Sequence, residues 1–183
     1  MTQLTKNKSR MKKYFLISAA AMLFRLPFSY SQPAPETSES KLEWHTSLEE
    51  VHQLSKTTQK PIFAFFTGSD WCGWCKKLQR DVFAKPEFIE WAQKNVILFE
   101  LDFPRTKQLP QDLAQQNNSL AQALGISGYP TVWLLFTSKD EKTNNFNLST
   151  IGSLGYPRDA ELGNEQVKFL NDANAILNQV KGK

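Results

Sequence analysis

At 183 residues, the chain is long enough for one domain with a full hydrophobic core and too short for two domains of ordinary size. Its formal charge is +4, but residues 1–31 carry six basic side chains and no acidic one, which leaves 16 basic against 18 acidic residues in the remainder. That remainder has a net charge of −2 and lacks the basic surplus that is typical of nucleic-acid-binding domains.

The N-terminal stretch has the three regions of a secretory signal peptide. A basic pair at residues 12–13 precedes an apolar run at residues 14–24, and the small-residue pattern Ser29-Tyr30-Ser31 follows. The apolar run has 11 residues, fewer than the ~20 that cross a bilayer as a helix, which favours a cleaved signal over an uncleaved anchor. We expect a signal peptide at residues 1–31, a flexible leader at residues 32–40 and one folded domain at residues 41–183.

The first two elements of the domain are predicted from local patterns. Residues 42–45 alternate in polarity, which predicts a short strand. Ser47, followed three residues later by Glu50, forms a capping-box pattern, which predicts a helix to about residue 56. His52 lies off the apolar face of this helix and is expected to be solvated, whereas His45 is expected to be structural.

The most distinctive stretch is Trp71-Cys72-Gly73-Trp74-Cys75-Lys76, which lies between a buried strand at residues 61–66 and a helix predicted over residues 77–83. A helix N-terminus offers unpaired N–H groups and the positive end of the helix dipole, and both favour a thiolate over a thiol. Cys72 would lie at that end, with Cys75 one turn further along, where the two sulfurs can close a small ring. We predict that Cys72 attacks a partner's disulfide and that Cys75 resolves the mixed disulfide.

Two other interpretations of the cysteine pair are less favourable. A zinc site needs two further ligands, and the chain's two histidines, His45 and His52, lie upstream in no finger-like spacing. A static disulfide across so short a loop would contribute little to stability, because it removes little entropy from the unfolded chain. We therefore expect no metal at this pair.

The remaining elements continue an alternation of strands and helices. Pro86 suits the first turn of a helix at residues 87–94, and Gly125 is expected to end a later helix. The predicted elements that follow are a strand at 96–102, a helix at 112–124, a strand at 131–136, a hairpin turn at 137–147, an edge strand at 148–154 and a helix at 165–180. The last helix is expected to pack through four apolar side chains: Val167, Leu170, Ala173 and Leu177.

Three features together resemble the thioredoxin superfamily over about residues 42–180: the W-C-x-x-C turn after a buried strand, the segment Gly128-Tyr129-Pro130-Thr131, and the β/α order around both. The resemblance implies an α/β thioredoxin fold, in which helices flank a central mixed β-sheet on both faces. Among its subgroups, the chain looks most like exported bacterial thiol–disulfide oxidoreductases of the Dsb type, including the reductases.

The resemblance also implies substrate-binding roles outside the dithiol. Pro130 matches the family's cis-proline, which lies opposite the dithiol and lets the backbone of Tyr129 hydrogen-bond to a substrate strand; an ordinary trans proline is the alternative. Trp71 and Trp74 flank the cysteines and are candidates for an apolar rim that docks extended partners. For Trp71, packing into the core is an equally good interpretation.

One position departs from the family pattern. Many thioredoxins carry a buried acid six positions before the first cysteine, thought to move the proton of the second cysteine, and here that position is Phe66. Asp70, Glu100 or water are the candidates for this role. The pair Gly73-Trp74 between the cysteines also differs from the family's commonest dipeptides.

The expected activity is that of a periplasmic thiol–disulfide oxidoreductase that works in the reducing direction without a bound cofactor. Gly73 after the first cysteine resembles the reducing members of the family, and the histidine that many oxidising members carry between the cysteines is absent, so the resemblance favours reduction over oxidation. The expected partners are disulfide-containing exported proteins and a membrane thiol electron donor, with no nucleic acid, and the chain is expected to act as a monomer. The alternatives are an oxidase or isomerase, or a thioredoxin-fold chaperone or carrier of a soft metal on Cys72 and Cys75.

Overall fold

The computed structural model describes residues 41–181. The predicted signal peptide at residues 1–31 and leader at residues 32–40 lie outside the described residues, as do residues 182 and 183. Between residues 41 and 181, no helix combines the length and the apolarity that crossing a membrane requires.

The strands and helices follow one another along the chain in the predicted order, with two helices between β2 and β3 and a hairpin before the last helix. The strands are β1 (Trp44–His45), β2 (Ile62–Thr67), β3 (Ile97–Asp102), β4 (Thr131–Lys139) and β5 (Phe146–Leu154). The helices are α1 (Leu48–Thr58), α2 (Gly73–Leu78), α3 (Pro86–Asn95), α4 (Gln111–Ala123) and α5 (Glu165–Lys181), and α2 continues into a π-helical segment, Gln79–Phe83.

The five strands form one mixed sheet in the order β1-β3-β2-β4-β5. β1, β3 and β2 are parallel, whereas β4 and β5 pair in antiparallel register. The predicted thioredoxin-type architecture is confirmed, with β2 at the centre of the sheet and β3 beside it.

The central strand β2 is buried on both faces, as its continuous apolar sequence predicts. Its odd-numbered residues Phe63 and Phe65 pack in a cluster with both cysteines, which we call the dithiol-side core. Its even-numbered residues contribute to a second cluster, which we call the opposite core, with members from α1 and α4: Ile62, Ala64, Phe66, Val51 and Leu120. The strand thus lies between α2, α3 and α5 on one face and α1 and α4 on the other.

The helix ends follow the local signals of the sequence. At the start of α1, the Ser47 hydroxyl accepts the backbone N–H of Glu50 at 3.4 Å. The carboxylate of Glu50 contacts Nδ1 of His45 at 3.0 Å, so His45 has the structural role that was predicted. α3 begins at Pro86, and the chain leaves α4 through Gly125, whose φ of +63° lies in the left-handed region.

The β4–β5 hairpin is longer than the sequence predicts. Its pairing extends to Lys139 and Phe146, so the strands include residues that were assigned to the turn. The backbone can continue the ladder through polar residues because this part of the hairpin lies at the exposed edge of the sheet.

Two predicted exposures are wrong. His52 is only 5% exposed, because the extended hairpin covers it: its Nδ1 lies 2.8 Å from the Thr137 hydroxyl and its ring packs edge-on against Phe146. In α5, Val167 is 48% exposed and Phe169 takes its place in the core. The buried face of α5 therefore runs through Phe169, Ala173 and Leu177, four residues apart along the helix.

Candidate active site

Cys72 and Cys75 form a disulfide at the start of α2, with an S–S distance of 2.05 Å. Cys72 is the capping residue of the helix, and its Sγ accepts the backbone N–H of Cys75 at 3.1 Å. Cys72 is 5% exposed and Cys75 is 0% exposed. The sulfur of Cys72 is therefore the one that a partner can approach first.

The turn before the cysteines is tied to the end of β3. The amide and the hydroxyl of Ser69 donate to the Asp102 carboxylate at 2.8 and 2.6 Å. The N–H of Cys72 donates to the Gly68 carbonyl at 2.8 Å. A Cβ at Gly68 would overlap the Trp71 indole, so this turn needs glycine for space.

Three contacts hold the half-buried ring of Trp71. Its Nε1–H donates to the Phe103 carbonyl at 2.7 Å, its ring meets Tyr129 edge-on at 5.5 Å, and the Arg105 guanidinium lies 3.9 Å from the ring centroid. Trp71 is thus part of the framework of the site. Trp74, by contrast, is 45% exposed, which agrees with its predicted place on the rim.

In the segment that was predicted to lie opposite the dithiol, Tyr129 packs against the dithiol-side core that contains both cysteines. The Tyr129–Pro130 peptide bond is cis, as the resemblance implies. Tyr129 contacts both Trp71 and Phe103, and the Thr131 hydroxyl donates to the Gly128 carbonyl at 2.8 Å. The structure therefore brings Trp71 and Tyr129 together against the core that contains Cys72 and Cys75, while Trp74 lies on α2 between the cysteines. Pro130 follows Tyr129 through the cis bond.

A polar cluster that the sequence did not predict joins the active-site helix to the turn after β5. The Asp81 carboxylate, in the π-helical segment, accepts Lys77 Nζ at 2.5 Å and the Tyr156 hydroxyl at 2.8 Å, and Lys77 also donates to Tyr156. The Tyr156 ring packs on Trp74 with centroids 5.1 Å apart. Only the Lys77–Asp81 spacing of four residues was a visible signal, and it indicates no more than a helix surface pair.

The charge state of Asp81 follows from these bonds. Burial alone raises the pKa of this carboxyl, but hydrogen bonds from Lys77, Tyr156 and Arg80 outweigh it and lower the pKa to about 2. Asp81 is therefore ionised at neutral pH and anchors the cluster.

The candidates for proton acceptor differ sharply in their surroundings. The Asp70 carboxylate accepts the hydroxyl and amide of Thr106 and the amide of Arg105, which lower its pKa to about 2 and leave it a poor base. Glu100 is half-buried beside Phe65 in the β2–β3 register, and its pKa is raised by burial and by the nearby charge of Asp102. Of the two, Glu100 is the better placed.

The position at which many thioredoxins carry a buried acid is occupied here by a side chain on the other face of β2. Phe66, six residues before Cys72, lies in the opposite core and faces away from the dithiol. Phe65 is the β2 residue that packs in the dithiol-side core. The residue count along the sequence therefore selected the wrong face of the strand, because side chains alternate between the two faces.

Neither histidine is placed as a metal ligand beside the cysteines. Within residues 41–181, no group of three or more His, Cys, Asp and Glu side chains is arranged to hold a metal ion. His45 bonds to Glu50 and His52 to Thr137.

Two curated proteins that are similar in sequence to this chain come from Chlamydia pneumoniae. The disulfide bond reductase DsbH is 37% identical over 91 residues, which make up 50% of this chain and 54% of that protein. The thioredoxin-related protein DsbJ is 31% identical over 146 residues, 78% of this chain and 40% of that protein. The chain thus spans about half, or less, of the length of these relatives.

A solved structure of the same kind of protein also matches the fold of this chain. The solved structure of a DsbH oxidoreductase matches with a TM-score of 0.63 and 26% identity, over 81% of this chain and 92% of that chain. Together with the bonded cysteine pair, these relatives support a disulfide-related function. Residues 48–140, just over half of the chain, match the thioredoxin-like domain family. The chain therefore belongs to the thioredoxin-like domain family.

Proposed function

We propose that the chain is an exported thiol–disulfide oxidoreductase that reduces the disulfides of other exported proteins. The observation that carries the proposal is the position of Cys72, whose Sγ caps α2 and accepts the N–H of Cys75 at 3.1 Å. A donor aimed at the sulfur at a helix N-terminus favours the thiolate, which is the nucleophile in disulfide exchange.

The exchange proceeds in two steps from the reduced dithiol. The Cys72 thiolate attacks one sulfur of the partner's disulfide, which forms a mixed disulfide and releases the partner's other sulfur as a thiolate that takes a proton. Cys75 then loses its proton and attacks Sγ of Cys72, which closes the Cys72–Cys75 disulfide and frees the second partner thiol. Two electrons pass to the partner, and the chain ends in the oxidised form that is described here.

The second step needs a base for the buried thiol of Cys75, which is 0% exposed. Glu100 is the proposed acceptor, because it lies beside Phe65 on the dithiol face of the sheet and its raised pKa makes its carboxylate a stronger base. A water molecule is the alternative acceptor.

The reducing direction is supported by Gly73, by the lack of a histidine between the cysteines and by the reductase name of one relative. Export to the periplasm is supported by the signal-like pattern of residues 1–31. In that oxidising space, each turnover leaves a disulfide that must be reduced again, so the cycle needs a membrane thiol donor.

An insulin-reduction assay with dithiothreitol tests the activity. We expect the wild-type chain to accelerate the reduction and Cys72→Ser to return the rate to that of dithiothreitol alone, because the attacking sulfur is lost. Cys75→Ser is the matched control: it keeps the attacking thiol and should accumulate a mixed disulfide with insulin. Equal rates for the wild type and Cys72→Ser would instead favour a non-enzymatic chaperone or metal carrier.

The equilibrium with glutathione tests the direction. A redox potential close to or below that of thioredoxin, about −270 mV, is expected for a reductase. A potential near −120 mV would reverse the direction and favour an oxidase.

A further inference from the structure

Each of the two cysteines follows a tryptophan that carries a stacked arginine. The Arg105 guanidinium lies 3.9 Å from the ring centroid of Trp71, and the Arg158 guanidinium lies 4.9 Å from that of Trp74. The two arginines come from different loops, one after β3 and one after β5. Both are exposed, so the dithiol is flanked by two accessible cations.

The loops that carry the arginines are bonded to the active-site segment itself. On one side, Asp70 accepts the amides of Arg105 and Thr106 at 3.0 and 2.7 Å. On the other, the Tyr156 hydroxyl donates to Asp81, and the amide of Arg158 donates to the Tyr156 carbonyl at 2.9 Å. The positions of both guanidinium groups are therefore set by the same framework that positions the dithiol.

Asp70, Asp81 and Asp102, which lie near the dithiol, already have hydrogen-bond or ion-pair partners, whereas the two guanidinium groups have no carboxylate partner among the described residues. Asp70 is held by loop amides, Asp81 by Lys77 and Tyr156, and Asp102 by Ser69 and Lys107. In the part of the chain that the structure describes, neither Arg105 nor Arg158 forms an ion pair with a carboxylate. Lys76, also exposed, adds a third cation next to Cys75.

A stacked guanidinium keeps its edge free for a ligand. A guanidinium that lies over an indole is attracted to the ring face, and its N–H donors remain able to bind a carboxylate in bidentate geometry. Stacking also limits the motion of the side chain, so that less entropy is lost when a carboxylate binds. The residues after position 31 have a net charge of −2, so the positive charge of the two arginines is a local feature of the site and not of the whole domain.

We infer that Arg105 and Arg158 select partners whose target disulfide lies in an acidic segment, with carboxylates on either side of the cysteine that Cys72 attacks. The inference rests on the proposed function and names its substrate class. The arginines bring such a segment to the dithiol and do not take part in the exchange of electrons.

Three synthetic peptides test the inference with the full chain, each an intermolecular disulfide dimer with one cysteine flanked by Asp and Glu, by Ser and Gly, or by Lys. The reduced chain is mixed with an excess of each dimer, and the second-order rate constant for the single oxidation of the chain is measured at low and at high salt. The readout is the ratio of the acidic to the neutral peptide, because a general loss of activity cancels in this ratio. We expect a ratio of about ten for the wild type at low salt, falling as salt is added.

The double variant Arg105→Gln/Arg158→Gln is expected to lower the ratio to about one, since the steering charge is removed. The matched control is Lys56→Gln/Lys94→Gln, which removes two exposed cations at the helix ends that precede β2 and β3, at the opposite end of those strands from the dithiol. It should keep the wild-type ratio.

Equal rates for all three peptides with the wild type would overturn the inference and leave the proposed function standing. A ratio that the arginine variant keeps, or that the lysine control loses to the same extent, would also overturn it. If the wild type reduces none of the peptides and no insulin, the proposed function fails first.

Discussion

Each of the two tryptophans directly precedes a cysteine in the sequence, but the two side chains have different surroundings in the structure. Trp71 lies in the turn before α2, where a hydrogen bond to Phe103 and the ring of Tyr129 hold it. Trp74 lies on α2 itself, is 45% exposed, and packs on Tyr156. One tryptophan belongs to the framework, and the other to the exposed surface beside the dithiol.

This difference teaches that the two rings are held unequally: contacts from other elements fix the Trp71 ring, whereas much of the Trp74 ring is exposed. On the Trp71 side, contacts come from β3, from the loop after it and from the Tyr129 segment. On the Trp74 side, the contact depends on the cluster of Lys77, Asp81 and Tyr156. Substitutions on the two sides should therefore separate effects on unfolding from effects on turnover.

The largest effect on stability is expected for Trp71→Ala. It removes a half-buried indole and its hydrogen bond, and we expect the free energy of unfolding in urea to fall by about 3 kcal/mol. Trp71→Phe, which keeps most of the packing and removes the Nε1 donor, should lose less than half of that. A loss below about 1 kcal/mol for Trp71→Ala would show that the framework does not depend on this ring.

Asp81→Asn should have the next largest effect, because it leaves Lys77 and Tyr156 with a neutral partner. We expect urea unfolding to show a loss of about 1 to 2 kcal/mol. The control is Asp172→Asn, which breaks a Lys–Asp pair of the same spacing with Lys168 on the more exposed surface of α5. That change should cost about 0.5 kcal/mol, and an equal loss for both variants would contradict the special role of the Asp81 cluster.

The two aspartates with a lowered pKa, Asp70 and Asp81, predict a loss of stability in acid. The pKa of Asp70 and of Asp81 is about 2 in the folded chain, below the ordinary value of 3.8. A lowered pKa stabilises the fold fully above the ordinary value, and this contribution is lost as the pH falls towards the folded-state value. Unfolding free energies measured from pH 4 to pH 2 should therefore decrease, and the decrease should be smaller for Asp81→Asn.

Trp74→Ala should change stability least, by under about 1 kcal/mol, because much of the ring is already exposed. Its effect should appear in turnover, as a several-fold lower kcat/KM for insulin and a smaller change for a small disulfide such as hydroxyethyl disulfide. Equal losses for both substrates would indicate that Trp74 acts on the dithiol and not on partner docking.

Much of the fold was predictable because its signals are local. The buried strand β2 follows from an unbroken apolar run, α3 from Pro86, and the end of α4 from Gly125. The cysteine pair at the start of a helix was visible for the same reason, since a turn and a helix cap need only neighbouring residues.

The wrong or missing predictions involve contacts between distant segments. The exposure of His52 was misjudged because the residue that covers it, Phe146, belongs to a hairpin almost a hundred positions later in the chain. The hydrogen bond between Asp81 and Tyr156 joins residues 75 positions apart. For Phe66, counting six residues back from Cys72 selected a side chain on the face of β2 that points away from the dithiol, because side chains alternate between the two faces of a strand.

The amino-acid sequence by itself determined the order of strands and helices, the dithiol at a helix start and the proline segment beside it, because propensity, capping and periodicity act over a few residues. Only the tertiary structure decided which tryptophan is framework and which is surface, which acids have a raised or a lowered pKa, and where the two arginines lie. Those properties depend on burial and on partners from other elements, which no local pattern records.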